Sequence, residues 1–377
     1  MFESRITKTD CALYRGDRPC APNKESGVGC GDCTQYREQG TRWLIINLGA
    51  MGDCLRSTTI LHGILRKDPY AEITWITDFP DLIPTHVVKR VISNLSEAQL
   101  VLLTERFHMV INLDKDPRAA ALMELSSGAR LGFGVDKETG KLKTYGDGAD
   151  RKLAMGVDDQ ASKSNTMSYC QEAYAIADLE YQNDEYLPPE FQHLPSEVTS
   201  WSHRYEHPII ALGPGCGSRW PTRRWPTDRW AQLINSLRHR LNHKGTVILL
   251  GGQEDQIELG QIEVMANLYR GYNSLRVIRQ PTIDNMPKLL KLLSEVDIMV
   301  TPVSFLLHTA IAAKTPKLVV LNNIFNKHEQ SLFGRGGFVE PNSCDCYYAN
   351  HCNRDKSCME DLGVEVVVDA VVSSLQC

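Results

Sequence analysis

Two series of short Val/Ile/Leu runs, each run followed by a helix-like stretch, constrain this chain more than any other feature. The first series reads "RWLIINL", a helical pattern through Leu65, "EITWIT", "HMVINL", the Ala/Leu-rich "PRAAALMELSSGA" and "RLGFG", with "MSYCQEAYAIADL" as a further helix. After the Pro-rich polar interval "NDEYLPPEFQHLPSEVTS" the alternation restarts. It runs through "PIIALGPG", "DRWAQLINSLRHRL", "TVILLGG", "MPKLLKLLSEV", "DIMVTP", "SFLLHTAIAAK" and "KLVVLNN". Strands alternating with helices imply crossover connections and parallel strands covered on both faces. The expected class is α/β, two doubly wound Rossmann-like sheets facing a cleft, and 377 residues suffice for two such cores. The expected division is a cysteine-rich segment over 1–40, a first domain over 41–185, a linker over 186–206 and a second domain over 207–377.

A net charge of -5 gives no electrostatic reason to expect a nucleic-acid partner. No apolar run approaches the ~20 residues that span a bilayer, and "MFESRITKTDCALYRGDRPC" lacks the apolar stretch of a signal peptide, so the cytoplasm is the expected compartment. Reducing conditions there disfavour disulfides, yet the chain holds 12 cysteines. Eight fall in two sets, Cys11, Cys20, Cys30 and Cys33 near the start and Cys344, Cys346, Cys352 and Cys358 near the end. Clustered thiols in such a setting read as ligands of structural zinc or iron, shared within a set or between sets. The "CGDC" spacing lets two thiolates reach one ion. The polar, Gly- and Pro-rich residues around it could not fold by apolar burial alone.

The chemistry gathers at predicted strand ends, where doubly wound sheets bind ligands. In "NLGAMGDCLRST" an acid, Asp53, stands where a buried strand turns into a helix; the free N–H groups of such a turn suit an anion and keep a carboxylate ionised. "GPGCGSRWPTRRWPTDRW" leaves a strand through Gly213, Gly215 and Gly217, which let a phosphate approach the backbone, and then supplies Arg219, Arg223 and Arg224 before Pro226 opens a helix. In "LLGGQEDQ", Gly251 and Gly252 end a strand, and Glu254 or Asp255 can accept from ribose hydroxyls. "TPVSFLLHTAIAAKTP" sets Ser304 at a helix N-cap with His308 one turn in, where it can donate to a phosphate oxygen or be satisfied within the core. The stretch Asp114-Lys115-Asp116 has the look of a metal-binding DxD element but reads as a solvated turn.

In their order, "LGAMGD", "WPTRRWP", "LLGG" and the S-x-x-x-H helix followed by "AAKTP" resemble glycosyltransferase family 9, the ADP-heptose heptosyltransferases of lipopolysaccharide assembly. The resemblance runs from about Thr41 to Leu362. It implies a GT-B fold, an inverting transfer without a catalytic metal, and Asp53 as general base. Gly49, Met51 and Gly52 then fall on the acceptor side. Gly215, Gly217, Arg219, Arg223, Arg224, Gly252, Glu254, Ser304 and His308 fall on the nucleotide-sugar side, with Arg223 where the family has a Lys. The family's Asp-Ser/Thr-Gly-x-x-His motif is altered here: its Asp is Val303 and its Gly is Phe305, which leaves heptose itself open as the donor sugar. Relatives that modify autotransporter proteins carry a four-cysteine iron site and form large oligomers. A protein acceptor and a homo-oligomer therefore stand beside a saccharide acceptor. Two rivals remain: a binding or assembly protein that has lost catalysis, and a nicotinamide-dependent oxidoreductase using Gly49, Gly52 and Asp78. Cys54 as a nucleophile is weaker still, since no partner can be placed beside it.

Overall fold

The computed structural model describes residues 7–191, 200–268, 275–344 and 346–376. Residues 192–199 of the expected linker lie outside the described residues.

In the first sheet, β1 (Arg42–Ile46) pairs in parallel with β2 (Glu72–Ile76) and with β4 (Met109–Asn112). β3 (Arg90–Ile92) and β5 (Ala129–Val135) extend it, and β6 (Leu142–Tyr145) closes one edge antiparallel, giving the order β3-β2-β1-β4-β5-β6. The second sheet holds β7 (Ile209–Leu212), β8 (Thr246–Leu249), β9 (Arg276–Arg279), β10 (Ile298–Pro302), β11 (Lys317–Leu321) and β12 (Gly336–Val339). Its order is β12-β11-β10-β7-β8-β9, parallel throughout. Both orders reverse at one place, between β1 and β4 and between β7 and β10, where ligands bind in such sheets.

Successive side chains of a strand point to opposite faces, and both faces of these sheets are covered, so the continuous apolar runs became the central strands. Trp43 and Ile45 of β1 enter one core with Ile60, Leu61 and Ile64, while Leu44 and Ile46 enter another with Ala98, Leu102 and Leu122. In the second sheet Ile210, Leu212, Val247 and Leu249 face the helices Thr227–Arg240 and Val364–Gln376. Ile209, Ala211, Ile248 and Met299 face the other way, into a core that also takes in Cys54, Leu55, Leu82 and Tyr186 from the first half. That shared core fixes the two sheets against each other. Asn326 reinforces it, donating to the Ser162 and Asn165 carbonyls at 2.9 and 2.7 Å, while the Ser162 and Tyr347 hydroxyls lie 2.8 Å apart. No described helix is long and apolar enough to cross a membrane.

The helix Asp147–Val157 packs on Tyr169–Ile176 through Gly148, where an added Cβ would stand 2.2 Å from the Ala175 carbonyl oxygen. Gly148→Ala is expected to cost about 1–3 kcal/mol. A urea titration checks this by a lower midpoint at unchanged slope.

Candidate active site

The turn after β1 is fixed from beneath. Buried Asn47 donates to the Ser57 hydroxyl at 2.7 Å, and Ser57 donates to the Asp53 carbonyl at 2.6 Å. Asp53 thus sits in the first turn of the helix Met51–Ser57, its side chain 40% exposed. Arg56, one turn further on the same face, donates to Asp53 Oδ1 from Nε at 3.0 Å and Nη2 at 2.6 Å, and lies 3.7 Å over the Tyr169 ring. Burial opposes the Arg56 charge, but the Asp53 carboxylate outweighs it and holds Arg56 a firmer cation than usual. Both bonds fall on Oδ1, so Oδ2 has no hydrogen-bond partner among the described residues.

Gly52 faces His308 in the helix Phe305–Ala312, and an added Cβ would stand 2.7 Å from His308 Cδ2. His308 is buried, with Nδ1 3.2 Å from the Tyr186 hydroxyl. Burial first, then the Arg56 and Arg223 cations, push its pKa down to about 3, only partly opposed by Asp53. The imidazole is neutral at pH 7. A Tyr186 hydroxyl donating to Nδ1 leaves the ring proton on Nε2, where it is a donor.

Across the cleft, the loop after β7 rests on Asp255. That carboxylate accepts from Gly252 N–H at 2.9 Å, and a Cβ on Gly215 would meet it at 2.4 Å. Gly217 has φ +69°, which favours glycine. The Arg223 guanidinium donates to the carbonyls of Val303 and Cys216, strapping the loop after β10 to the loop after β7, and lies 5.2 Å over Phe325. Burial beside Arg219 and Arg224 lowers its pKa, and it remains a cation.

These groups meet in one cleft of 930 Å³. Of the residues singled out from sequence, Met51, Gly52, Asp53, Gly215, Gly217, Arg219, Arg223, Gly252, Glu254, Ser304 and His308 line it. Gly49 and Arg224 do not. Gly49 backs onto Asp114, whose Oδ2 would lie 3.0 Å from an added Cβ. Arg224, where the chain leaves the 3-10 turn Pro221–Arg223, turns to Glu258 at 2.7 Å, with Asp255 at 3.9 Å. Ser304 is the N-cap residue, but its hydroxyl lies 3.1 Å from that of Thr301 and makes no capping bond.

The Asp114-Lys115-Asp116 turn is half-buried rather than solvated. Burial raises the Asp114 pKa, Lys115 donates to the Lys152 carbonyl, and Asp116 caps the helix Pro117–Leu125. Asp78, on which the dinucleotide reading rests, pairs with Arg118 at 3.0 Å. Burial pushes the Cys54 thiol up to about 12, which removes it as a nucleophile.

Sequence reasoning missed Arg56, Tyr186, Glu329, Gln330 and Tyr348. Arg56 had a signal, its i,i+3 spacing from Asp53. The others come from irregular segments without periodicity. Tyr348 donates to Glu329 Oε2 at 2.6 Å and packs edge-on to Trp220 and Phe325. Gln330 lines the cleft with a buried Oε1 that has no partner among the described residues.

Behind Tyr348 lie the C-terminal cysteines. The Cys344, Cys346 and Cys358 sulfurs lie within 4.8 Å of one another, and Cys352 packs against the cluster that Cys346 and Cys358 form with Ile324. Burial and the neighbouring Cys358 push Cys344 up to about 11. Crowded thiols beside Ile324, Trp220 and Phe325 fit a tetrahedral metal ion, which would hold them as thiolates. Cys11, Cys20, Cys30 and Cys33 line a separate cavity of 240 Å³, so no ligand is shared between the sets. The set with the less regular spacing is the one that closes to single-ion distance.

The family model described as glycosyltransferase family 9 (heptosyltransferase) matches residues 99–329, more than half of the chain. The chain is similar in fold to the ADP-heptose lipopolysaccharide heptosyltransferase II of E. coli, at 18% identity and TM-score 0.63, covering 89% of this chain and 99% of that one. It is also similar to E. coli heptosyltransferase WaaC with ADP-2-deoxy-2-fluoro heptose, at 15% identity and TM-score 0.56, covering 88% and 99%. A third likeness is to the iron-containing dodecameric glycosyltransferase TibC of enterotoxigenic E. coli H10407, at 13% identity and TM-score 0.51, covering 90% and 77%. No curated protein sequence matches significantly.

His308 makes stability depend on pH. Its folded pKa of about 3 lies below its unfolded value, so the unfolded chain binds the proton more readily as pH falls below about 6.5. The contribution is complete above that pH and is lost on acidification, by about 2 kcal/mol between pH 7 and pH 5. His308→Gln is expected to flatten this part of the profile, measured as denaturant midpoints at the two pH values.

Proposed function

The chain belongs to glycosyltransferase family 9, and from that premise we propose that it transfers a sugar from an ADP-heptose-like donor, with inversion, to a hydroxyl of a saccharide or protein acceptor. The observation that carries this reading is that Asp53, supplied by the first sheet, and Arg219 and Arg223, supplied by the second, line the same cleft. The division into a segment over 1–40, an acceptor domain over 41–185, a linker over 186–206 and a donor domain over 207–377 belongs to the same proposal.

In this mechanism Asp53 Oδ2 takes the proton of the acceptor hydroxyl as its oxygen bonds to the anomeric carbon. The bond from that carbon to the diphosphate oxygen breaks, and its electron pair departs with the nucleotide. Arg56 fixes the carboxylate so that its unbonded oxygen is the one available. The backbone N–H groups of the Gly215–Gly217 loop, Arg219, Arg223 and the His308 Nε2 proton stabilise the departing negative charge. These groups suffice for the step as proposed, with no catalytic metal in it. Val303 has no polar side chain for the sugar; Glu329 and the unpartnered Gln330 Oε1 are the groups that would meet its hydroxyls. An ion held by Cys344, Cys346, Cys352 and Cys358 would supply a structural cross-link. It would fix the loop that carries Tyr348 against Trp220 and Phe325. The dodecameric, iron-containing relative supports expecting such an ion here, and a homo-oligomer with it.

Two outcomes test this. With a panel of ADP- and UDP-sugars and NAD, an ADP-sugar should raise the melting temperature most. Asp53→Asn should then lower kcat for sugar transfer by about 10²–10⁴-fold with nucleotide affinity retained; strong stabilisation by NAD alone would overturn the reading. Chelating the C-terminal ion, or Cys352→Ser, should weaken ADP binding by about tenfold through loss of the Tyr348 wall, read by calorimetry.

A further inference from the structure

We propose that Cys11, Cys20, Cys30 and Cys33 hold an iron–sulfur cluster, a centre of a different class from the single ion that suits the C-terminal set. Residues 7–40 cannot be held by burial. Among them only Pro22 is buried, and their regular structure is one helix of six residues, Ala21–Ser26, and a bridge between Cys11 and Glu38. A segment of this size without a core needs covalent or metal cross-links.

All four thiols line one cavity of 240 Å³, whose other walls include Leu13, Tyr14, Val28 and Tyr36. Such a cavity needs only about 10–15 Å³ to admit a water molecule, so this one has room for far more than a lone ion. The sulfur spacing points the same way. A single ion with metal–sulfur bonds of about 2.3 Å brings its four thiolates to about 3.8 Å from one another. Among the described residues only Cys344, Cys346 and Cys358 close up to that degree; no three of the N-terminal sulfurs come within 4.8 Å of one another. In a sulfide-bridged cluster the sulfides link the irons, and the cysteine thiolates, distributed over several irons as terminal ligands, stand further apart. Lys8 and Arg18 border the cavity and offset the negative charge of four thiolates. The proposal does not depend on the sugar-transfer reading.

The test uses the full chain purified without oxygen. Iron and acid-labile sulfide are expected in equal amounts at this site, with broad visible sulfide-to-iron absorption. Cys30→Ser should abolish the sulfide and the absorption, and Cys352→Ser should leave both. If Cys30→Ser fails to fold, the sulfide assay on the unsubstituted protein still decides. Metal at this set without acid-labile sulfide would overturn the proposal, as would a folded N-terminal segment free of metal.

Discussion

Gly52 can have no side chain because His308 stands where its Cβ would be, and that contact sets the spacing of everything else in the cleft. Each of the two helices begins at the reversal point of its own sheet. Once they touch, the acid in the first turn of one is held at a fixed distance from the loops that start the other. The shared core around Cys54, Leu55, Leu82 and Tyr186 makes the contact permanent rather than an encounter. Desolvation at the contact keeps His308 neutral. A second fixed cation there would repel Arg56 and Arg223, and a neutral donor does not.

The architecture was legible because every central strand is buried on both faces, which writes a continuous apolar run into the sequence where a half-exposed strand would write an alternation. Asp53 was legible for a related reason: an acid at a glycine-flanked strand end has few structural uses. Direction was not legible. Arg223 and Arg224 are neighbours of like charge, yet one binds carbonyls at the cleft and the other pairs with Glu258, because Arg223 closes a short 3-10 turn and the chain leaves that turn at Arg224. Nor could the sequence reveal that Asp114 is the floor beneath Gly49, or that Glu329 and Tyr348 meet from loops about twenty residues apart.

The cleft divides its polar groups into those already engaged and those left open. Arg223 is held in place by the carbonyls of Val303 and Cys216 while its charge lines the cleft, and Asp255 is committed to Gly252, so these groups fix the shape of the cleft's second-sheet wall. Asp53 Oδ2 and Gln330 Oε1 have no such commitments among the described residues. A cleft whose charged groups are already held by their neighbours needs little rearrangement to receive a ligand.

Asn326 adds a mechanical consequence. One side-chain amide from beyond β11 reaches two successive carbonyl acceptors, at Ser162 and Asn165, on the other lobe, and it is buried where water cannot readily take its place. Separation of the lobes along that edge therefore begins with the simultaneous rupture of a paired latch. Opening that leaves the latch intact pivots on this edge, so the cleft widens along the opposite edge only.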